Sequence, residues 1–294
     1  MTGASRVAVV QILDQLRGEP SRTWSIIITI YGDAIVPRGG CVWLGTLLSI
    51  FKSLEIGDGV VRTAMSRLAA DGWLERSKVG RNSFYRLAAK GRATFSEATR
   101  HIYAARPPVW LGHVDLALLS NGPDKDQARD TLQRAGFGSR GPGLFVAPGG
   151  RGGAPAGALI LQATAAPEGL RDLAARSWPL AATAEAYLHF IETFAPLRAA
   201  LDAGSPLDDL EALVSRVLLI HEYRRIVLRD PLLPAELLPA DWPGDAARAL
   251  CGNLYRNLVV PSERWLDDNA IDDSGAALGP GQEVFDRFED CLKP

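Results

Sequence analysis

Apolar residues recur at helical spacing along WLGTLLSIFKSL (residues 43–54), where Leu44, Leu47, Leu48 and Phe51 fall on one face. Residues 58–71 repeat the pattern with Val61, Ala64, Met65 and Leu68; Asp58 reads as the N-cap and Gly72 as the stop. Upstream, WSIIITIYGDAI (24–35) is apolar at nearly every position and reads as a helix, although its β-branched run also suits a strand. Downstream, WLERSKVGRNSFYRL (73–87) splits into two short apolar-rich runs around Gly80-Arg81-Asn82, the pattern of a hairpin. Three helices followed by a hairpin is the order of a winged helix-turn-helix.

The polar positions of these elements suit DNA. Opposite the apolar stripe of the third helix lie Arg62, Thr63, Ser66 and Arg67, hydrogen-bonding groups and guanidinium forks able to read base edges and grip phosphates. The hairpin supplies Lys78, Arg81, Asn82 and Ser83, which can reach a sugar-phosphate backbone. From Arg62 to Arg92 there are eight Lys and Arg and two acids, Asp71 and Glu75. The alternative is a solvated amphipathic helix beside a surface hairpin.

Charge sharpens the picture. Residues 1–106 hold 15 Lys and Arg against 8 Asp and Glu, a net +7, and residues 107–294 hold 17 against 26, a net −9. A basic head docks on phosphates with release of counterions, and an acidic body is repelled by them. The head continues as a helix over 89–103 and ends at the Arg106-Pro107-Pro108 break.

Beyond the break, 109–119, 143–147 and 158–164 read as strands, and 124–135, opened by Asp124, and 167–176 as helices, a small α+β domain over 107–180. Within it the Gly- and Pro-rich 138–157 reads as a flexible loop rather than a nucleotide loop, because it lacks a Walker lysine and a GxGxxG between strand and helix. Helices follow over about 181–202, 206–229 and 243–260, making a helical domain of 181–294 whose polar, glycine-rich 267–281 reads as a mobile tail. The whole is a multi-domain α+β chain.

Composition excludes several classes. No apolar run approaches the ~20 residues of a membrane span, and Asp14 interrupts what would be a signal-peptide core, so the chain reads as cytoplasmic. Cys41, Cys251 and Cys291 form no CxxC, and His101, His113, His189 and His221 no HxxxH or HExxH, so neither a metal nor another cofactor is expected.

The chain resembles the PaaX family of phenylacetic acid degradation repressors along almost its full length. The resemblance rests on YGDAIVPRGGCVWLGTL (31–47), VRTAMSRLAADGWLERSKVGRNSFYRL (61–87), IYAARPPVW (102–110) and LLIHEYRRIVLRDPLLPAELLPADWPGDAARALCGNLY (218–255). It implies a homodimeric, non-enzymatic repressor with a winged-helix head, a central ferredoxin-like domain similar to Cas2, and a helical C-terminal domain. It further implies release from operator DNA by an acyl-CoA thioester, phenylacetyl-CoA in well-known members.

Such an effector needs fixed cations for its phosphates and an apolar slot for its acyl end. On a helix, His221, Arg225 and Arg229 stack at i, i+4 and i+8 with Arg224 and Tyr223 beside them, a candidate effector strip. Equally, Glu222 and Asp230 are placed to bind these arginines structurally. A different alternative, a metal-dependent nuclease of the Cas2-like domain, would rest on Asp115.

Overall fold

The structure, a computed structural model, describes residues 3–16, 23–104, 106–119, 124–155, 157–279 and 281–289. It is an α+β protein whose chain divides into two compact units: residues 1–104, 188–228 and 245–294 make the first, and 105–187 with 229–244 the second. The basic N-terminal segment therefore shares one unit with the C-terminal helices.

In the first unit, α1 (Ala4–Leu16) precedes α2 (Thr23–Ile30), which continues as a π-helical turn over Tyr31–Ile35 and a short 3-10 turn over Val36–Arg38. A three-residue strand, β1 (Cys41–Trp43), leads into α3 (Leu44–Ser53) and α4 (Asp58–Ala70). Strands β2 (Leu74–Val79) and β3 (Asn82–Leu87) form an antiparallel hairpin, and β1 pairs with β3, giving the order β1-β3-β2. α5 (Ala89–Ala104) closes the segment.

The apolar stripe of α4 is buried as its spacing predicts: Val61, Ala64, Met65 and Leu68 lie in the core. The cap differs from expectation. Gly57 is the N-cap and Asp58 the first helical residue, where its carboxylate faces the positive end of the helix dipole. At the other end Gly72, at φ 73°, accepts a left-handed conformation while Trp73 N–H donates to Leu68 O at 2.9 Å and Gly72 N–H to Ala69 O at 3.1 Å. This paired C-cap turns the chain from α4 into β2 with no slack. Gly80, at φ 58°, opens the two-residue loop of the hairpin.

The C-terminal helices supply the centre. α8 (Leu180–Asp202) crosses the boundary at 187/188, α9 is Asp209–Val227 and α10 is Gly244–Asn269. A reciprocal capping box starts α9: Glu211 N–H donates to Asp208 Oδ1 at 2.7 Å and Asp208 N–H to Glu211 Oε2 at 3.3 Å. α9 is buried on nearly every face, which makes it the core helix of this unit rather than an amphipathic cover. An aromatic cluster of Tyr103, Phe190, Phe194, Tyr223, Tyr255 and Phe288 packs around it.

The second unit holds β4 (Val114–Leu118), α6 (Lys125–Arg134), β5 (Gly138–Gly141), β6 (Leu144–Pro148), β7 (Leu159–Ala163) and α7 (Pro167–Ser177). Its sheet is antiparallel throughout, in the order β5-β6-β4-β7. Strand alternation sends Val114 and Val146 to a core with Leu170 and Ala174 of α7, and Ala117, Phe145 and Ala147 to one with Leu132 of α6.

Two sequence expectations are corrected. Residues 138–148 are the β5–β6 hairpin rather than a loop, because the glycines there serve as strand and turn residues with apolar Phe145 and Val146 anchoring them. The expected mobile tail over 267–281 is tied down in its described residues 267–279: Trp43 N–H donates to Ile271 O at 3.0 Å, Ile271 bridges Ala277, and Leu278 is buried. Cys41 and Cys251 are both buried, and Cys291 lies outside the described residues. Among the described residues, no helix is long and apolar enough to cross a membrane.

Candidate nucleic-acid interface and the ion network behind it

Because α4 buries Val61, Ala64, Met65 and Leu68, its helical period forces Arg62, Thr63, Ser66 and Arg67 outward, and all four are exposed. Thr63 Oγ1 donates to Gly59 O at 2.8 Å, which commits its hydroxyl hydrogen and leaves the oxygen able to accept. On the hairpin, Lys78, Arg81 and Asn82 are exposed. Ser83 is half-buried and accepts from Arg76 Nη2 at 2.8 Å.

Arg76 was not singled out by the sequence pattern. It lies on exposed β2 with its guanidinium 5.9 Å from the Tyr85 ring centroid, adding a cation to the same hairpin. Its signal was the alternation of LERSKV, which puts charge on both faces of an edge strand. The Gly72 turn joins this hairpin directly to α4, so helix and hairpin present their polar groups from one covalently stiff segment.

Behind that segment lies a buried ion network. Asp33 and Arg216 are 1% and 0% exposed, and Arg216 Nε donates to Asp33 Oδ2 at 2.7 Å. Arg216 Nη1 reaches Glu263 Oε1 at 2.6 Å, and Arg38 Nε reaches Glu263 Oε2 at 2.8 Å. Arg287 Nη1 donates to Asp33 Oδ1 at 2.7 Å, and the hydroxyls of Tyr103 and Tyr255 donate to the same oxygen at 2.6 and 3.0 Å. Arg38 also meets Asp267 at 2.8 Å, so three guanidiniums face three carboxylates. Sequence periodicity missed these residues; the visible signal was a charge inside each of two apolar runs, Asp33 in IIITIYGDAIV and Arg216 in LVSRVLLI.

Burial by itself would raise the Asp33 carboxyl, but Arg216, then Arg287 and the Tyr103 hydroxyl outweigh it and hold its pKa below the ordinary 3.8. A carboxyl whose folded pKa is depressed stabilises the fold at pH above its unfolded value, and the stabilisation disappears as pH falls through the folded value. Urea stability of the chain is therefore expected to decline in acid below the ordinary carboxylate range. Asp33→Asn should flatten that acid limb, and an unchanged limb would refute the assignment.

The candidate effector residues separate. His221 is buried and its Nδ1 shares a hydrogen bond with Thr29 Oγ1 at 3.0 Å. Tyr223 is buried against Phe190 and Phe288. Arg224 is half-buried, donating from Nε to Thr29 Oγ1 at 2.8 Å and from Nη2 to Ser25 O at 2.9 Å; burial lowers its pKa. Arg225 pairs with Glu222 at 3.3 Å. Arg229 is exposed, beyond the end of α9 at Val227, so the helix stops short of the expected third member of the strip.

In the second unit Asp115 is the second residue of β4, near its start rather than its end; Gly150 N–H donates to its Oδ2 at 2.9 Å and His113 Nε2 lies 3.6 Å from Oδ1. Among the described residues, no group of three or more His, Cys, Asp or Glu is placed to hold a metal ion.

Residues 22–91, which carry α2 to β3, match the family described as PaaX-like protein, and residues 178–268 match the PaaX-like protein C-terminal domain. A solved structure, the uncharacterized protein Rv0674 from Mycobacterium tuberculosis, is similar at 23% identity with a TM-score of 0.49, covering 88% of this chain and 96% of that one. The transcriptional repressor PaaX of Escherichia coli (strain K12) is 36% identical over 282 residues, 90% of this chain and 89% of the relative. With both segments matched and that identity sustained over nearly the whole length, the chain belongs to the PaaX-like family.

Proposed function

We propose that this protein is a DNA-binding transcriptional repressor whose winged helix-turn-helix head reads an operator. The observation that carries the reading is the exposed surface formed by Arg62, Thr63, Ser66 and Arg67 of α4, joined through the Gly72 turn to the Lys78, Arg81 and Asn82 hairpin. The 36% identical relative, named a transcriptional repressor, supports it. α4 enters the major groove, and the hairpin acts as the wing, with Arg76 hydrogen-bonded to Ser83 across it near the tip.

The active species is a homodimer that places two heads on a pseudo-palindromic site. The second unit is a ferredoxin-like, Cas2-like domain, a reading supported by its strand order of fourth, first, third, second in the pairing β7, β4, β6, β5; among the described residues between β6 and β7 there is no helix. The regulated genes are those of phenylacetate breakdown, and phenylacetyl-CoA is the releasing signal. Among the proposed effector contacts, Arg224 and Arg225 offer partly exposed guanidiniums, with His221 and Tyr223 packed behind them and Arg229 beyond the helix end. Ligand and DNA need only favour different states, with a coupling of about 1–3 kcal/mol.

The wing supplies a direct test. Removing one cation that neutralises a phosphate reduces the slope of log affinity against log salt by about 0.9. Lys78→Ala and Arg81→Ala are each expected to weaken binding to every duplex similarly and to flatten that slope. A weakening confined to one sequence, or an unchanged slope, would remove the hairpin from the interface.

A further inference from the structure

A cavity of about 1040 Å3 lies inside the first unit, walled by α2, α4, α5 and α9. Its lining is mainly apolar and aromatic, with Ile28, Trp73, Phe95, Ala98, Ile102 and Ile220 among its walls. Trp24, Val60 and Leu228, which also line it, are left 54%, 55% and 38% exposed, an unusual amount of large apolar surface to leave around one opening. Apolar and aromatic walls interspersed with hydroxyls and with the charged groups Arg67, Asp71 and Arg224, at this volume, are the composition of a small-molecule site.

The polar group that gives the cavity a direction is Arg224. Its guanidinium is held by Thr29 Oγ1 and by the carbonyl and hydroxyl of Ser25. All three acceptors are neutral, and the neighbouring Glu222 carboxylate is engaged by Arg225. A partly desolvated cation held by neutral acceptors retains a strong attraction for a ligand oxygen. Asp33 also touches the cavity, but both its carboxylate oxygens are already engaged by the ion network.

Along α4, the lining includes Gly59, Val60, Thr63, Ala64, Arg67 and Leu68. Thr63 and Arg67 are thus cavity wall and candidate DNA contacts at once. We propose that this cavity binds a compact aromatic acyl group, as the free carboxylate or as a thioester, with its ring in the aromatic lining and its carbonyl oxygen on Arg224. α4 is the wall that answers the ligand. Occupancy changes the position of Thr63 and Arg67, and so opposes DNA binding without any relay from a distant site. The cavity is larger than a phenylacyl group needs, which leaves room for the start of an attached chain.

This placement rests on the repressor-and-effector reading, and the test separates the two. The full chain is titrated calorimetrically with phenylacetate, phenylacetyl-CoA and free CoA, and release of labelled upstream DNA is followed with the same three compounds. Ala98→Trp, which fills the cavity from α5, and Arg224→Met, which removes the cation, are compared with the unaltered chain after retained helical circular dichroism is checked. The expected result is binding of an aromatic probe but not of free CoA, weakened tenfold or more in both variants. Preference for the acid or for the thioester identifies which form Arg224 receives. Undiminished affinity in both variants, with release intact, overturns the cavity and leaves the effector reading standing. Affinity abolished in both variants, with no release of DNA from the unaltered chain, keeps the cavity and overturns the effector reading. Failure of every probe to bind overturns both.

Discussion

Arg216→Met is expected to cost roughly 3–5 kcal/mol of folding stability, the range for removing one partner of a buried ion pair. The side chain is fully buried, and its removal strips Asp33 Oδ2 and Glu263 Oε1 of their charged donors while deleting the stacking on the Tyr255 ring at 5.0 Å. Methionine fills similar volume, so the cost comes chiefly from the lost charge rather than from a void: Asp33 retains Arg287 and Glu263 retains Arg38, but the buried network is left one cation short. With total stabilities commonly about 5–15 kcal/mol, the urea midpoint should move far. The double variant Arg216→Met with Glu263→Gln should lose less than the two single losses combined, because the glutamine no longer strands a charge. A change in stability under about 1 kcal/mol would mean that the network is not carried in solution. The same geometry predicts that residues 1–106 alone fold poorly, since Asp33 and Arg38 find their partners on α9, α10 and at Arg287.

Arg67→Ala carries the largest expected effect on function. If its guanidinium grips a base edge, the variant should lose about 1–3 kcal/mol on the specific site and much less on an unrelated duplex of equal length. Arg62→Ala provides the comparison on the same exposed face. Competitive binding at fixed salt measures the ratio, and an equal loss on both duplexes would move Arg67 to the phosphate backbone and leave base reading to its neighbours. Unlike Arg216, Arg67 is exposed, so its removal should leave the urea midpoint nearly unchanged.

The elements of the proposed DNA-facing surface were legible because they are local. The 3.6-residue spacing of Val61, Ala64, Met65 and Leu68 set both the existence of α4 and the direction of its polar face. Gly72 and Gly80 marked the turns on either side of β2. What escaped was non-local. β1 is three residues long, too short for any periodicity, and exists because it pairs with β3 some forty residues later. Residues 267–281 have a tail's composition, yet Arg38 donates to the Leu278 and Gly279 carbonyls at 3.4 and 3.3 Å, and Trp43 supplies a donor to Ile271. The arginines of 221–230 were visible as cations, but their separation into a neutral-held Arg224, a Glu222-paired Arg225 and an Arg229 beyond the helix depends on where α9 ends and on which side α2 passes.

The most direct test of sequence-specific DNA binding is fluorescence anisotropy of the full-length protein with DNA from its own upstream region, against an unrelated duplex of equal length at the same salt. Specific binding is expected to be tighter than non-specific by a factor of about 10³ or more. Equal affinity for the two duplexes would contradict the assignment of α4 and its hairpin as an operator-reading head.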